Sequence, residues 1–425
     1  MKLDPVLQRL DNGVRIAAVP MPHMESVSIG LWTDVGSRHE SGEEHGMAHF
    51  IEHMLFKGTP SRTCAQISRE IEGLGSSIDG FTVEDHTGYQ AKAPAGKFDE
   101  LFSVLADFYR NPTIDPTDLE HERLVIHEEI AMVRDQPSQF IEDIISEAAW
   151  GANHPLGRSI TGTNESLDAF SRGDVLQFFQ RAYCGANTVI SVAGNVEPDA
   201  VMDVASREFA DLGKGRKFDF EVAPSPLSGH RYEEVFDPEQ THLSLAFPGV
   251  ARSDRRRYAR KLLDVILGEN MSSRLFQELR EKRALCYEVQ SDLVSFSDEG
   301  LLQIYVAVTT ENLSEALEGI TNVVSGLAQD GVTEQELETA KSYLVGQSRV
   351  SLENTASRMM WAGECLLFFD DWIDPAEVHR KIEAVTLEEV HLEAMRVFSG
   401  RQFSSALIGP IEANGVLEDW RETVG

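Results

Sequence analysis

The sequence HGMAHFIEHMLFKGT, residues 45–59, contains an H-x-x-E-H motif formed by His49, Glu52 and His53. On a helix, residues four apart share one face, so the two imidazoles can bind one metal ion. Glu52 lies three residues after His49 and one before His53, so its carboxylate also points into that site. His45 could form a competing pair with His49, although we expect it to be solvated near the helix start. The motif therefore predicts a metal centre.

A third ligand is expected from another helix, because catalytic zinc takes three protein ligands and keeps one position for water. The segment HERLVIHEEIAMVRDQ, residues 121–136, offers Glu122, Glu128 and Glu129. Glu122 and Glu129 are seven residues apart, two helical turns on one face, so one can bind the metal while the other supports the site. Two alternatives stay open from the residues alone: a chance match to the five-residue motif, and a solvated acidic helix face.

The elements around the motif predict two halves that repeat. Apolar periodicity predicts strands within 14–33, 80–94, 187–196, 241–250 and 301–310, and helices at 44–56, 97–110, 115–148, 199–212, 258–267, 273–283, 312–328 and 333–350. A Gly-, Pro- and Ser-rich segment separates the halves. We therefore predict an α+β fold of two homologous domains, each a sheet with helices on one face. The domains are 1–213, catalytic, and 232–425, without metal, joined by a linker at 214–231.

Charge and hydropathy exclude several classes of protein. With 38 basic and 70 acidic residues, the 425-residue chain has a formal net charge of -32 and would repel phosphates, so no nucleic-acid partner is expected. No apolar run approaches the roughly 18 residues of a membrane-spanning helix, and MKLDPVLQRLDNGVRI does not resemble a secretory signal. The four cysteines form no C-x-x-C pair. We expect a bacterial cytoplasmic protein or, alternatively, a mature chain of the mitochondrial matrix.

Together, the motif and its distant glutamates resemble a known family. H-x-x-E-H with a later E-x6-E, here with Glu129 76 residues after His53, is the signature of the M16 (pitrilysin/insulinase) zinc metallopeptidases. The resemblance implies that His49, His53 and Glu129 bind Zn²⁺, one ion per chain. It implies that Glu52 is the general base and that Glu122 supports the ligands from behind.

The resemblance covers nearly the whole chain. HPLGRSITGT (154–163) matches a stretch common in these enzymes, and MSSRLFQELREKRALCYEV (271–289) matches the C-terminal half of half-length members. The length of 425 residues fits the short, two-domain branch, which is similar to the mitochondrial processing peptidase β-subunit and its bacterial relatives. The resemblance implies mostly antiparallel sheets of the M16/LuxS-like metallohydrolase architecture. Arg280 and Tyr287 fall on the family's Arg/Tyr pair and would reach the substrate near the metal. The local alternative is that Arg280 pairs with a neighbouring glutamate and that Tyr287 is a core residue.

The family's substrate-binding edge strand resembles DGFTVEDHTGYQAKA, residues 79–93. Asp79, Gly80, Phe81 and Thr82 would bind a peptide as an added strand through backbone hydrogen bonds. The family often has Asn-Ala at the first two of these positions. The acidic side chain of Asp79 is therefore expected to alter subsite preference, towards basic residues.

The resemblance implies a zinc-dependent endopeptidase that cleaves peptides or flexible, presequence-like segments inside a closed chamber. Half-length members act as dimers, so a homodimer is expected, with a heterodimer of paralogous subunits as an alternative. A competing hypothesis is a non-catalytic scaffold or partner subunit, but such relatives typically lose ligands or the base, and all five motif residues are present here. Mn²⁺ or Co²⁺ could replace zinc at these ligands. No G-x-S-x-G motif supports a serine hydrolase.

Overall fold

The structure is a computed structural model that describes residues 5–226, 228–235, 239–400 and 402–424. The outer ends of the two predicted domains and residue 227 of the predicted linker lie outside the described residues. Along the described part of the chain, no helix is both long enough and apolar enough to span a membrane.

The described residues form eleven strands and fifteen α-helices. The strands are β1 (Val6–Arg9), β2 (Arg15–Pro20), β3 (Ser26–Thr33), β4 (Ser77–Thr82), β5 (Thr87–Pro94), β6 (Thr188–Gly194), β7 (His230–Glu234), β8 (Thr241–Pro248), β9 (Cys286–Ser295), β10 (Gly300–Val308) and β11 (Ser404–Gly409). The α-helices are α1 (Met47–Leu55), α2 (Cys64–Gly73), α3 (Phe98–Arg110), α4 (Pro116–Arg134), α5 (Pro137–Trp150), α6 (Asn164–Ala169), α7 (Arg172–Ala182), α8 (Pro198–Phe209), α9 (Arg257–Asp264), α10 (Leu313–Asp330), α11 (Glu334–Ser351), α12 (Thr355–Phe369), α13 (Pro375–Glu383), α14 (Leu387–Phe398) and α15 (Ile411–Val424).

The strands form two sheets of matching topology. The first has the order β1-β2-β6-β3-β5-β4, with β2 and β6 parallel and the other neighbours antiparallel. The second has the order β7-β11-β8-β10-β9, with β7 and β11 parallel and the other neighbours antiparallel. Strands β2 to β6 correspond to β7 to β11 in chain order and in pairing, and β1 is an addition to the first sheet. The predicted α+β fold of two homologous, mostly antiparallel units is confirmed.

Both faces of the first sheet are buried along its inner strands β2, β6 and β3. Ile16 and Ala18 of β2 pack into the core formed with α1, α3 and α8, whereas Ala17 and Val19 pack with α12. Successive side chains of a strand point to opposite faces, so a strand covered on both sides is apolar throughout. The predicted layer of helices is present, and one further helix covers the opposite face.

Glycines let α12 lie close to the first sheet. A Cβ atom on Gly30 of β3 would lie 2.3 Å from the Met359 sulfur of α12. A Cβ atom on Gly363 of α12 would lie 2.5 Å from the indole of Trp32. Neither position has room for a side chain, so the fit of α12 against β3 depends on both glycines.

Each compact unit contains a helix from the other half of the chain. The chain divides into two compact units. The first unit contains residues 1–130, 159–221 and 348–373. The second unit contains residues 131–158, 222–347 and 374–425. Helix α12 thus joins the first unit, while α5 joins the second and packs against β7, β8 and β11. The domain limits 1–213 and 232–425 stay a prediction, and the compact units differ from them by this exchange. The second segment of the first unit, residues 159–221, ends inside the predicted linker.

The single helix predicted over 115–148 is wrong, because α4 ends at Arg134 and α5 begins at Pro137. Gln136 between them is extended, with φ -115° and ψ 91°. A proline lacks the N–H that a helix interior needs, and it disfavours the helical conformation in the residue before it. Pro137 therefore starts a new helix, and the chain enters the second unit near this break.

Candidate metal centre

Helix α1, which carries the H-x-x-E-H motif, is almost entirely buried. Its start is fixed by the buried carboxylate of Glu40, which accepts hydrogen bonds from the backbone N–H groups of Gly46 (2.8 Å) and Ala48 (2.7 Å). Gly46 has φ 91°, a left-handed conformation that favours glycine. A negative charge at a helix N-terminus is also favourable for the helix dipole. Glu40 thus holds the helix that presents both histidines.

We expect Glu40→Ala to lower the free energy of unfolding by about 2–4 kcal/mol, because it leaves two buried backbone N–H groups without their acceptor. Urea unfolding measures this change. Glu43→Ala is the matched control, since Glu43 is an exposed acid three residues later, and it should change stability by less than about 0.5 kcal/mol. Equal losses in both variants would contradict the capping role.

The predicted ligands lie together. One donor atom from each of His49, His53 and Glu129 lies within 4.8 Å of the others, and this is the one such group of three found among the described residues. The Glu129 carboxylate is 3.6 Å from Nε2 of His49 and 3.5 Å from Nε2 of His53. The imidazole centroids are 4.7 Å apart. Two imidazoles and one carboxylate form a donor set that suits zinc.

Glu122 orients His53 from the side opposite the cluster. Nδ1 of His53 is 3.1 Å from the Glu122 carboxylate, which leaves Nε2 of the same ring facing Glu129. The other Glu122 oxygen is 2.5 Å from the Lys57 ammonium. Burial alone would raise the pKa of Glu122, but its bonds to His53 and Lys57 hold that pKa below the usual value. A carboxylate at the second ring nitrogen is a common way in which proteins fix the orientation of a histidine that binds a metal.

The two imidazoles differ in their electrostatics. Burial and the neighbouring His53 lower the pKa of His49 to about 4, so this ring is neutral at pH 7 and has a free lone pair. Burial opposes protonation of His53 as well, but hydrogen bonds with Glu122 and Glu129 raise its pKa to about 9. A metal ion would therefore have to displace a proton from His53, as is usual when histidines become ligands.

Glu52 is buried beside this cluster and held in place by the sheet. Glu52 is only 8% exposed, and its Oε2 atom accepts a hydrogen bond from the Thr82 hydroxyl at 2.8 Å. Burial raises the pKa of Glu52, and the Thr82 bond partly opposes that rise. A carboxylate with a raised pKa is suited to exchange protons near neutral pH.

Strand β4, which contains Asp79, Gly80, Phe81 and Thr82, is the last strand of the first sheet. It pairs with β5 on one side, and among the described residues no strand pairs with its other side. Gly80 and Thr82 face Glu52, since a Cβ atom on Gly80 would lie 3.0 Å from Oε1 of that residue. Asp79 is exposed, and Phe81 packs edge-on against Trp32. The addition of a peptide to this edge stays a prediction.

Arg280 and Tyr287 contact each other in the second unit. Arg280 lies in a π-helical segment, Phe276–Lys282, and Ala284 after it has φ 50°, so the chain bends back sharply. Nη1 of Arg280 donates to the Tyr287 carbonyl at 2.8 Å, and its guanidinium lies 4.7 Å from the Tyr287 ring centroid. The alternative of a core tyrosine is wrong, because Tyr287 is 77% exposed. Their approach to the metal stays a prediction.

Comparisons with known proteins assign the family. Residues 15–164 match the family model "Insulinase (Peptidase family M16)", and residues 169–344 match "Peptidase M16 inactive domain". The uncharacterized zinc protease YmxG of Bacillus subtilis is 35% identical over 399 residues, which are 94% of this chain and 97% of that protein. The chain belongs to peptidase family M16. Another similar protein, the uncharacterized zinc protease Rv2782c of Mycobacterium tuberculosis, is 35% identical over 96% of this M16 chain and 94% of its own.

Solved structures support the same M16 fold. A protease from Helicobacter pylori has a TM-score of 0.88 at 20% identity, covering 96% of this chain and 99% of its own. A Pseudomonas fluorescens structure described as a peptidase M16 inactive domain has a TM-score of 0.88 at 22% identity, and the match covers 96% of this chain and 98% of that chain. At such identities the likeness concerns the fold alone. The predicted membership of a short, two-domain M16 branch is confirmed.

Sequence reasoning missed three contacts around the M16 motif. The bond from Glu40 to the helix start joins residues that no helical spacing relates, so no sequence signal pointed to it. The hydroxyl of Thr82 was predicted only as part of a substrate strand. Lys57 was foreseeable, because it follows His53 by four residues and continues the same face of α1 beyond its end.

Proposed function

We propose that this M16 protein is a zinc-dependent endopeptidase that binds one zinc ion per chain through His49, His53 and Glu129. The observation that carries the proposal is the convergence of three donor atoms within 4.8 Å. Two further contacts support it: the second nitrogen of His53 is held by Glu122, and Glu52 is buried beside the cluster. The zinc protease names of the relatives agree with this donor set.

When bound, the ion supplies Lewis acidity, which favours ionisation of water and polarises a peptide carbonyl. Glu52 takes the proton from the attacking water, and it later returns a proton to the leaving amine. Its burial suits this exchange because a raised pKa brings the carboxylate closer to neutral pH. Thr82 keeps the carboxylate in one orientation through its 2.8 Å hydrogen bond.

The exposed edge of β4 is the proposed binding site for substrate. An extended peptide would add to this edge through backbone hydrogen bonds, which accept varied sequences. Asp79 is exposed on this strand and would favour basic residues in the peptide. Arg280 and Tyr287 are proposed to stabilise the oxyanion that develops at the scissile carbonyl.

The assembly is part of the same proposal and rests on the resemblance to half-length family members. Two copies of the chain, or this chain and a paralogous subunit, would form a closed chamber that admits peptides and flexible, presequence-like segments. We place the enzyme in the bacterial cytoplasm, since the similar proteins are bacterial and the cysteines are free thiols.

The test is to measure metal content and cleavage of a mixed peptide library on the same purified sample. We expect about one zinc per chain, cleavage that stops after dialysis against 1,10-phenanthroline, and recovery when zinc is added back. Mass spectrometry of the products then shows whether cleavage is internal and whether basic residues are preferred. A chain that holds zinc and cleaves nothing would contradict catalysis by this chain alone. A chain that holds no metal would contradict the metal centre.

We expect Thr82→Val to lower kcat by about 10–100-fold with unchanged zinc content, because a hydrogen bond to a charged group contributes about 1.5–3 kcal/mol. Valine keeps the β-branched shape, so the strand should be preserved. Thr82→Ser, which keeps the hydroxyl, should recover most of kcat. If the valine variant is fully active, or the serine variant is equally impaired, Thr82 does not position Glu52.

A further inference from the structure

The sequence SDRRRYARK, residues 253–261, reverses the charge balance of the chain. The whole chain has 70 acidic and 38 basic residues, whereas this segment has five basic residues and one acidic residue. It forms the loop before α9 and the first five residues of that helix. Arg260 and Lys261 form ion pairs with acidic side chains of the second unit. Positive side chains at a helix N-terminus oppose the helix dipole, so the stability of α9 does not explain the three arginines 255–257.

The segment borders a cavity of about 780 Å³ in the second unit, which we call the Arg255 cavity. Its size lies within the range of about 300–1,000 Å³ that is usual for ligand pockets. The remaining wall comes from α13 and α14. The basic side chains that line it are Arg255, Arg256, Arg257, Lys381 and Arg396.

The acidic side chains of the cavity are already engaged within the protein. Asp254 bonds Arg256, Glu393 bonds Arg260 and Arg396, and Glu389 accepts from the backbone N–H of Thr386. Arg255 is exposed and forms no ion pair with any described residue. Lys381 pairs with Glu377 and, like Arg257, lies against the ring of Tyr258. Basic side chains outnumber acidic ones in the lining by five to three.

The cavity also has an apolar wall. Val385 and Leu392 line it together with the ring of Tyr258. Leu392 is 41% exposed, and Met395, three residues later on α14, is 44% exposed. A small inorganic anion would leave these side chains uncovered, whereas a peptide segment with carboxylates and an apolar side chain would cover both kinds of surface.

We propose that the Arg255 cavity docks an acidic peptide segment. Its carboxylates bind the arginine and lysine side chains, and an apolar side chain packs against Leu392. This goes beyond the proposed function, because the cavity shares no residue with the metal cluster and its occupancy requires no cleavage. The segment belongs to a partner protein with that chemistry.

The experiment is fluorescence anisotropy with a labelled peptide of alternating glutamates and leucines. The full-length Glu52→Gln variant is used so that the probe stays intact whether or not the wild type is a peptidase. We expect this probe to bind at least about tenfold more tightly than a glutamine-for-glutamate version, and its affinity to fall as salt rises from about 50 to about 300 mM. Adding Arg255→Gln and Lys381→Gln should weaken binding about tenfold, since each exposed charge contributes up to about 1 kcal/mol.

The matched control adds Lys97→Gln and Arg207→Gln, which remove two exposed basic residues of the first unit. It should keep the affinity for the probe, and all variants should keep the same Tm. Equal binding of the neutral peptide, or an equal loss in the control, would overturn the proposal. Displacement of the probe by inorganic phosphate at about 10 mM would indicate an anion site only. Self-association that the double variant abolishes, without probe binding, would instead make this face a contact between copies.

Discussion

The Glu52→Gln variant is expected to lose peptide hydrolysis by a factor of about 10²–10⁴, the usual contribution of a general base, while its zinc content stays that of the wild type. Glutamine has nearly the same shape and can still accept the Thr82 hydrogen bond through its amide oxygen. It cannot take a proton from water. The measurements are kcat on a fluorogenic peptide and zinc per chain on the same preparation.

Glu43→Gln is the control for this prediction, because it removes an exposed carboxylate nine residues earlier. Its activity should equal that of the wild type. An active Glu52→Gln enzyme would remove Glu52 from the mechanism. Loss of zinc together with activity would show instead that Glu52 is needed to build the metal centre.

The Glu129→Gln variant is expected to lose zinc affinity by more than the 10–100-fold typical of losing an outer partner. Its carboxylate faces Nε2 of both His49 and His53, so it is the one anionic donor of the cluster. A neutral amide binds zinc poorly, and activity at limiting zinc should fall in parallel. Competition with a fluorescent zinc chelator measures the affinity.

Two glutamates of the same helix provide the comparison. Glu128→Gln changes the exposed neighbour and should leave zinc affinity unchanged. Glu122→Gln should weaken zinc binding by about 10–100-fold, since it removes the hydrogen-bond partner of His53 and not a proposed zinc ligand. If Glu122→Gln costs more zinc affinity than Glu129→Gln, the assignment of ligand and supporting carboxylate is reversed.

Local patterns made much of this predictable. The spacing of His49, Glu52 and His53 predicted that their side chains share one face of a helix. The structure has that helix at Met47–Leu55. Alternating and apolar runs located β2 to β6, β8 and β10 within a few residues. They missed β1, β7, β9 and β11, and β1 and β7 are largely exposed, so their apolar signal is weak. Glu129 could not be chosen over Glu122 by spacing. That choice came from the family resemblance, and the structure places Glu129 at Nε2 and Glu122 at Nδ1 of His53.

Relations that depend on the folded backbone were beyond such patterns. Glu40 lies only six residues before Gly46, yet no residue pattern links it to the start of α1, because the contact depends on how the intervening loop folds back. The break between α4 and α5 was foreseeable from Pro137, but the prediction followed the apolar periodicity, which continues on both sides of the proline. The covering of the first sheet by α12 joins residues more than 300 positions apart, such as Gly30 and Met359. Helical periodicity shows that α12 has apolar residues to bury, but not which sheet buries them.

The exchange of α5 and α12 also sets the order in which the molecule can mature on the ribosome. The first sheet has all its strands once residue 194 has been made, yet the face carrying Ala17, Val19 and Trp32 is bare until residues 355–369 emerge. A chain released at the linker would display that face to solvent, and nascent chains with such surfaces aggregate or recruit chaperones. Translation of most of the chain must therefore precede a complete first unit, and a gene fragment encoding the first half alone would yield an unfinished one.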